Sequence, residues 1–155
     1  ALNTQSGIDQ ALIDFRVACH PVRLLADCGQ HVQLPQPLIT PASMLPQNIL
    51  NALKDKELLD FGLQVKLDRF EISDSHCVIP TSLVVAYALA ILASGEANRI
   101  LLAGFDGYGA DDPRCKEVDS IFTLFSCMSP AVTVLSVTPT NYEVATASIY
   151  GLEAL

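Results

Sequence analysis

Short apolar runs alternate with polar punctuation along the chain, and the spacing within each run predicts an element. Ser6-Gly7 opens a helical spacing of Ile8, Leu12, Ile13 and Phe15, with Asp9 in its first turn. Residues 22–26 form a compact apolar run closed by Asp27-Cys28-Gly29, which predicts a strand and a turn. Leu38-Ile39-Thr40 lies between Pro37 and Pro41, and prolines on both sides leave a short strand as the reading. Pro46 stands where a helix begins, with Ile49, Leu50, Leu53 and Leu58 as its apolar stripe. From 61 to 67, Phe61, Leu63, Val65 and Leu67 alternate with Gly62, Gln64 and Lys66, the period of a half-buried strand.

The second half is patterned more strongly. Residues 81–93 read as a buried helix, capped by Thr81 or Ser82 and stopped at Gly95. Residues 99–105, RILLAGF, read as a strand buried on both faces of a parallel sheet. Asp112-Pro113 supplies an N-cap and first helical position, followed by a stripe of Val118, Ile121, Phe122 and Phe125. Pro130 ends that helix, and residues 131–137 form a strand closed by Thr138-Pro139. This order predicts an α/β domain with a mostly parallel central sheet of about five strands. Residues 99–105 would lie at its centre, and Val84, Ala88, Ile91, Leu101, Ala103, Ile121 and Val134 are the expected core.

Composition narrows the class. The 155 residues are 50% hydrophobic and 17% charged, which suits a single domain over 1–155 and excludes disorder. The net charge is -8, and the scattered basic residues argue against nucleic acid and against an anionic membrane surface. Residues 75–95 carry no formal charge, but Pro80, Thr81 and Ser82 interrupt them and Asp74 and Glu96 flank them without basic anchors. A buried helix, not a membrane span, is expected there. Five cysteines without a CxxC pair point to reduced thiols and a cytoplasmic location. His20, His31 and His76 lie far apart, so no metal and no cofactor are expected in this chain. Only a fold that joined Cys19-His20 to His76-Cys77 would make a zinc site. The start, Ala1-Leu2-Asn3-Thr4, has neither initiator Met nor signal peptide, the pattern of a piece of a longer chain.

Two segments carry candidate chemistry. In α/β sheets ligands bind beyond the carboxyl ends of strands, which points to residues 104–112, GFDGYGADD. Gly104, Gly107 and Gly109 permit close backbone approach, while Asp106, Asp111 and Asp112 oppose a bare phosphate. The G-x-x-G-x-G spacing is neither the dinucleotide fingerprint nor a P-loop, and on residue types alone a tight turn, with Asp112 as a cap and Asp106 bonding loop amides, is the simpler reading. Ser75-His76-Cys77, at the turn into the long helix, is the second segment. Adjacent Ser75 and His76 point to opposite faces of extended backbone, so a turn is the simpler reading than a nucleophile and base. Asp14 and Arg16, beside Phe15, read as solvated helix charges.

The block from Ile72 through Tyr108, with Ser75, the helix over 81–93 and RILLAGFDGY, is similar to a recurring bacterial pattern. It resembles a Rossmann-like three-layer domain fused behind HMG-CoA-lyase-like aldolase barrels, labelled 4-hydroxy-2-oxovalerate aldolases, in surface-polysaccharide gene products. More distantly it resembles the bacterial CMP-dependent sialyltransferases, whose G-I-D-x-Y stands where this chain has Gly104-Phe105-Asp106-Gly107-Tyr108. The second resemblance implies Ser75 near a nucleotide, Tyr108 as a donor to a leaving phosphate, and Asn3 as a nucleotide contact. The Gly-rich loop of that pattern would precede Ala1, and no His follows the motif, so its general base has no match. Three readings follow. The chain is an accessory domain of an aldolase, with a cleft of nucleotide-sugar type, or a partial glycosyltransferase donor domain, or a non-catalytic assembly module. In the first, a small sugar or nucleotide-sugar would touch Asn3, Ser75, Gly104, Asp106, Gly107 and Tyr108. Its partner would be its own N-terminal catalytic domain, where any divalent metal would reside, and a homo-oligomer is compatible.

Overall fold

The computed structural model describes residues 1–109 and 112–154, and the chain divides into two compact units, Ala1–Ile91 and Leu92–Leu155. It is mixed α/β. The first unit opens with β1 (Arg16–Val17), α1 (Pro21–Ala26), α2 (Cys28–Gln33), β2 (Leu38–Thr40), α3 (Gln47–Ala52) and β3 (Leu58–Asp60). The three strands lie side by side in chain order, all parallel, Leu38 paired with Arg16 on one side and Leu58 on the other. Parallel neighbours require crossovers, and α1 with α2, then α3, supply them. Ala18, Leu24, Leu38, Leu45, Ile49 and Leu53 form the core beneath.

Several expectations for this region change. Residues 22–26 are helix, not strand: Pro21 stands in the first turn and a five-residue apolar run carries no decisive period. Only Leu24 of that helix is buried. The expected helix around Ile8–Phe15 is reduced to one 3-10 turn, Gln10–Leu12, which Asp9 caps through the Ala11 N–H. Its apolar residues do not converge on a core, and Ile8, Leu12 and Phe15 stay exposed. The helix after Pro46 stops at Ala52, so Leu58 belongs to a strand instead of its stripe.

A second sheet sets β6 (His76–Ile79) between β4 (Gly62–Val65), to which it is parallel, and β5 (Glu71–Ile72), to which it is antiparallel. The alternation over 61–67 holds at Phe61 and fails at Val65 and Leu67, which are exposed. α4 (Val84–Ser94) follows, and Val85, Ala86, Tyr87, Ala88, Leu89 and Ala90 are buried in succession, as in a helix covered all round. The Tyr87 hydroxyl donates to the Phe61 carbonyl. The helix starts after Leu83, whose carbonyl accepts from Ala86, so neither Thr81 nor Ser82 opens it. At its end Glu96, not Gly95, takes the left-handed conformation (φ 58). Among the described residues no helix is long and apolar enough to cross a membrane.

In the second unit β7 (Arg99–Leu102) and β8 (Thr133–Ser136) pair in parallel, Arg99 opposite Thr133 through Leu102 opposite Ser136, joined by α5 (Pro113–Met128). Asp112 caps α5 through the Arg114 N–H, Pro113 follows, and Val118, Ile121, Phe122 and Phe125 are its buried face, as the pattern predicts. A single bridge, Ser136 to Thr146, extends the pair. The strands thus form three small sheets in place of one central sheet, and among the described residues β8 is the neighbour of β7. Ile100 is buried, but Leu101 is 43% exposed and Ala103 is exposed, which corrects the expectation of a strand covered on both faces. An apolar run records the scarcity of polar residues, and the described residues of this unit give β7 one neighbouring strand.

Candidate functional site

The carboxyl ends of β7 and β8 lie together, because parallel strands present their ends on one side, and the loops that follow are knit to each other. Gly104 leaves β7 with φ 66, and its N–H donates to Thr138 Oγ1 at 2.9 Å. Asn141 then clamps the loop around Gly107. Its N–H donates to the Asp106 carbonyl at 2.9 Å, and its side-chain amide donates to the Tyr108 carbonyl at 3.2 Å. Gly107 has φ 98, and a Cβ there would stand 3.0 Å from the Asn141 Cβ. The conformation calls for glycine, and a Cβ would in addition press on Asn141. The Cys115 thiol donates to the Tyr108 and Gly109 carbonyls from the first turn of α5.

Aromatic packing holds these loops to α5. The Tyr142 ring meets Phe105 at 5.1 Å between centroids, Phe122 at 6.2 Å and Tyr108 edge-on at 6.5 Å. Burial raises the Tyr142 pKa, with Tyr108 adding to it, so its phenol stays neutral. The Arg114 guanidinium lies 3.9 Å above the Tyr108 ring and grips the Asp112 carboxylate through Nε and a second guanidinium nitrogen. Those hydrogen bonds hold Asp112 down to about 2. One of the three loop carboxylates is therefore matched by a cation. Asp111 lies outside the described residues. The Asp106 side chain is exposed and, among the described residues, has no hydrogen-bond partner.

Beside this loop an open cleft of about 460 Å³ is lined by residues 136–140 and 146–148. Sequence reasoning stopped at Thr138-Pro139 as the end of a strand and missed this cleft, Asn141, Tyr142 and Arg114. Applying the strand-end rule to the second strand as well as the first would have found the Thr138-Pro139-Thr140-Asn141 segment.

Gly104, Asp106, Gly107 and Tyr108 thus share one loop of the second unit, while Asn3 and Ser75 belong to the first. Asn3 is a turn residue with φ 49, whose N–H donates to Val17 and whose carbonyl accepts from Arg16. Asparagine tolerates that conformation. Ser75 is exposed in the turn between β5 and β6, and its carbonyl accepts from Gly62 at 2.8 Å. The strand β6 separates it from the long helix, which corrects the expected position at the helix start. Cys77, Val78 and Ile79 are buried between two neighbouring strands, so the segment extends before the helix begins. His76 is exposed at the first position of β6.

The largest surprise of the first unit is Arg16, expected in solvent and in fact fully buried. Its guanidinium donates to the Gln36 and Gln10 side chains and to the Asn3 and Gln5 carbonyls. His31 is also buried, with Nδ1 unpartnered among the described residues, and Lys56, buried too, donates to the Leu34 carbonyl. Burial lowers the pKa of all three groups. Burial pushes the Cys19 and Cys77 thiols up to about 12, which keeps them protonated and unreactive. Among the described residues no group of three His, Cys, Asp or Glu side chains could hold a metal ion.

No protein-family model matches the chain, and neither curated proteins nor solved structures give a match.

Proposed function

We propose that this chain is a Rossmann-like accessory domain of the kind fused behind aldolase barrels of surface-polysaccharide biosynthesis, and that its second unit binds a sugar or nucleotide-sugar. The observation that carries the binding reading is the clamped loop at the carboxyl ends of β7 and β8, where Gly104 and Gly107 both have positive φ. Such a loop lets a ligand approach backbone closely at the edge where α/β sheets present their sites. Asp106 is the acceptor for ligand hydroxyls, and Tyr108, backed by Arg114, forms the wall. Pairing Asp112 with Arg114 removes part of the repulsion a phosphate would meet, so a phosphate attached to a sugar is compatible with the site. Aldol chemistry, with its divalent metal, belongs to the barrel of such a fusion, in the cytoplasm, and this domain serves as its ligand-binding partner. The partial resemblance to CMP-dependent sialyltransferases supports the nucleotide-sugar class.

Amide shifts of the chain titrated with CMP and with methyl glucoside test this. Saturable shifts at 104–109 with either compound are expected, and Asp106→Asn should weaken binding about tenfold, the size of a hydrogen bond to a charged group. Absence of saturable shifts at 104–109 with both compounds would overturn the reading.

A further inference from the structure

We infer that the cleft at the end of β8 is a subsite for the neutral, glycosyl part of a ligand, which it holds by hydroxyl donors. This rests on the reading above that the second unit binds a sugar-type ligand, and it assigns that ligand a place and a chemistry. The cleft volume, about 460 Å³, lies within the roughly 300–1,000 Å³ of small-molecule sites. Five of its lining residues, Ser136, Thr138, Thr140, Thr146 and Ser148, carry hydroxyls, and none carries a charge.

The hydrogen bonds fix which way those hydroxyls work. Thr138 Oγ1 accepts from the Gly104 N–H, Thr140 Oγ1 from the Tyr142 N–H and Ser148 Oγ from the Tyr150 N–H. Each oxygen is anchored by backbone, and among the described residues none of the three protons is given to a protein acceptor. A hydroxyl that already accepts retains its proton for a ligand. Ser136 differs: its hydroxyl donates to the Thr138 carbonyl at 2.7 Å and so sets the turn. The Thr146 hydroxyl has no hydrogen-bond partner among the described residues and offers both functions. The subsite therefore presents anchored donors to an acceptor-rich ligand.

Charge decides between the acceptor-rich classes. A phosphate or carboxylate would enter a cleft with no cation in its lining, on a chain of net charge -8. A pyranose needs none: its oxygens take the O–H donors, and its C–H faces meet Val137, Pro139 and Ala147. Thr138, in the lining of the cleft, also accepts from the Gly104 N–H, which sets the Gly104 loop beside the cleft.

The test titrates the chain with methyl glucoside and separately with inorganic phosphate, following the amides of Thr138, Thr140, Ala147 and Ser148. Glucoside should shift them saturably and phosphate should not. Thr146→Val removes a hydroxyl that bonds nothing among the described residues and keeps the β-branched shape, so the fold is kept, and it should weaken glucoside binding about fivefold, one neutral hydrogen bond. Shifts at 104–109 without shifts at 138–148 would overturn the subsite and leave the sugar-binding reading standing. No shift in either segment with glucoside or CMP would remove both. Phosphate moving the cleft amides while glucoside does not, or glucoside binding unchanged by Thr146→Val, would overturn the subsite alone.

Discussion

At the residue scale, the loop after β7 is set by one glycine and one asparagine. Gly107 has φ 98 and a Cβ there would press to 3.0 Å from the Asn141 Cβ, so Gly107→Ala should cost about 1–3 kcal/mol, mainly from backbone strain. A urea midpoint read from the second unit and unchanged by that substitution would show that the loop relaxes freely. The sequence makes Gly107 visible as a candidate, because a glycine between Asp106 and Tyr108 after an apolar run suggests a turn. It could not reveal Asn141, 34 positions later, since that partnership exists only once β8 lies beside β7. The same blindness hid Arg16. A lone arginine near Asp14 looks like a surface charge, and only the convergence of Gln10, Gln36 and two backbone carbonyls makes its burial tolerable.

At the scale of elements, local signals succeed where a terminus has its own chemistry. α5 was legible to its cap because Asp112-Pro113 states the start and the stripe through Phe125 states the buried face. The short strand between Pro37 and Pro41 was legible for the same reason. Residues 22–26 differ from the expected strand, and 99–105, which do hold the expected parallel strand at Arg99–Leu102, differ only in not being covered on both faces. An apolar run has no period of its own, and neighbours decide whether it becomes helix, edge or centre. That difference can be measured inside the second unit. Phe125, fully buried on α5, should cost about 3–5 kcal/mol when replaced by alanine. Leu101, the expected centre of a sheet, is 43% exposed on β7, so Leu101→Ala should cost only about 1 kcal/mol. Denaturation of the two variants should rank them in that order. Equal losses would mean that β7 is covered on both faces after all.

At the scale of the whole molecule, the two units carry different titrating centres and should respond differently to acid. His31 in the first unit is buried with Nδ1 unpartnered among the described residues, and burial lowers its pKa below the ordinary histidine value of 6.5. Asp27 opposes that shift, while Lys56 and Arg16 add to it. The unfolded chain therefore binds more protons than the folded one once the pH falls through 6.5. Stability of the first unit is fully present above that pH and is lost progressively as the pH falls towards the depressed folded value. The second unit has its depressed group in Asp112, held at about 2 by Arg114, so that contribution persists to lower pH and fades only as the pH falls from 3.8 towards 2. Between pH 7 and pH 5, amide exchange should therefore lose protection in the core of the first unit, at Leu24, Leu38 and Leu53, while Ile121 and Phe125 of the second keep theirs. His31→Phe, which fills the site without titrating, should flatten the pH dependence of the first unit. If His31→Phe leaves that loss of protection intact, the acid response arises from another group, and the buried cluster of His31, Arg16 and Lys56 is not its source.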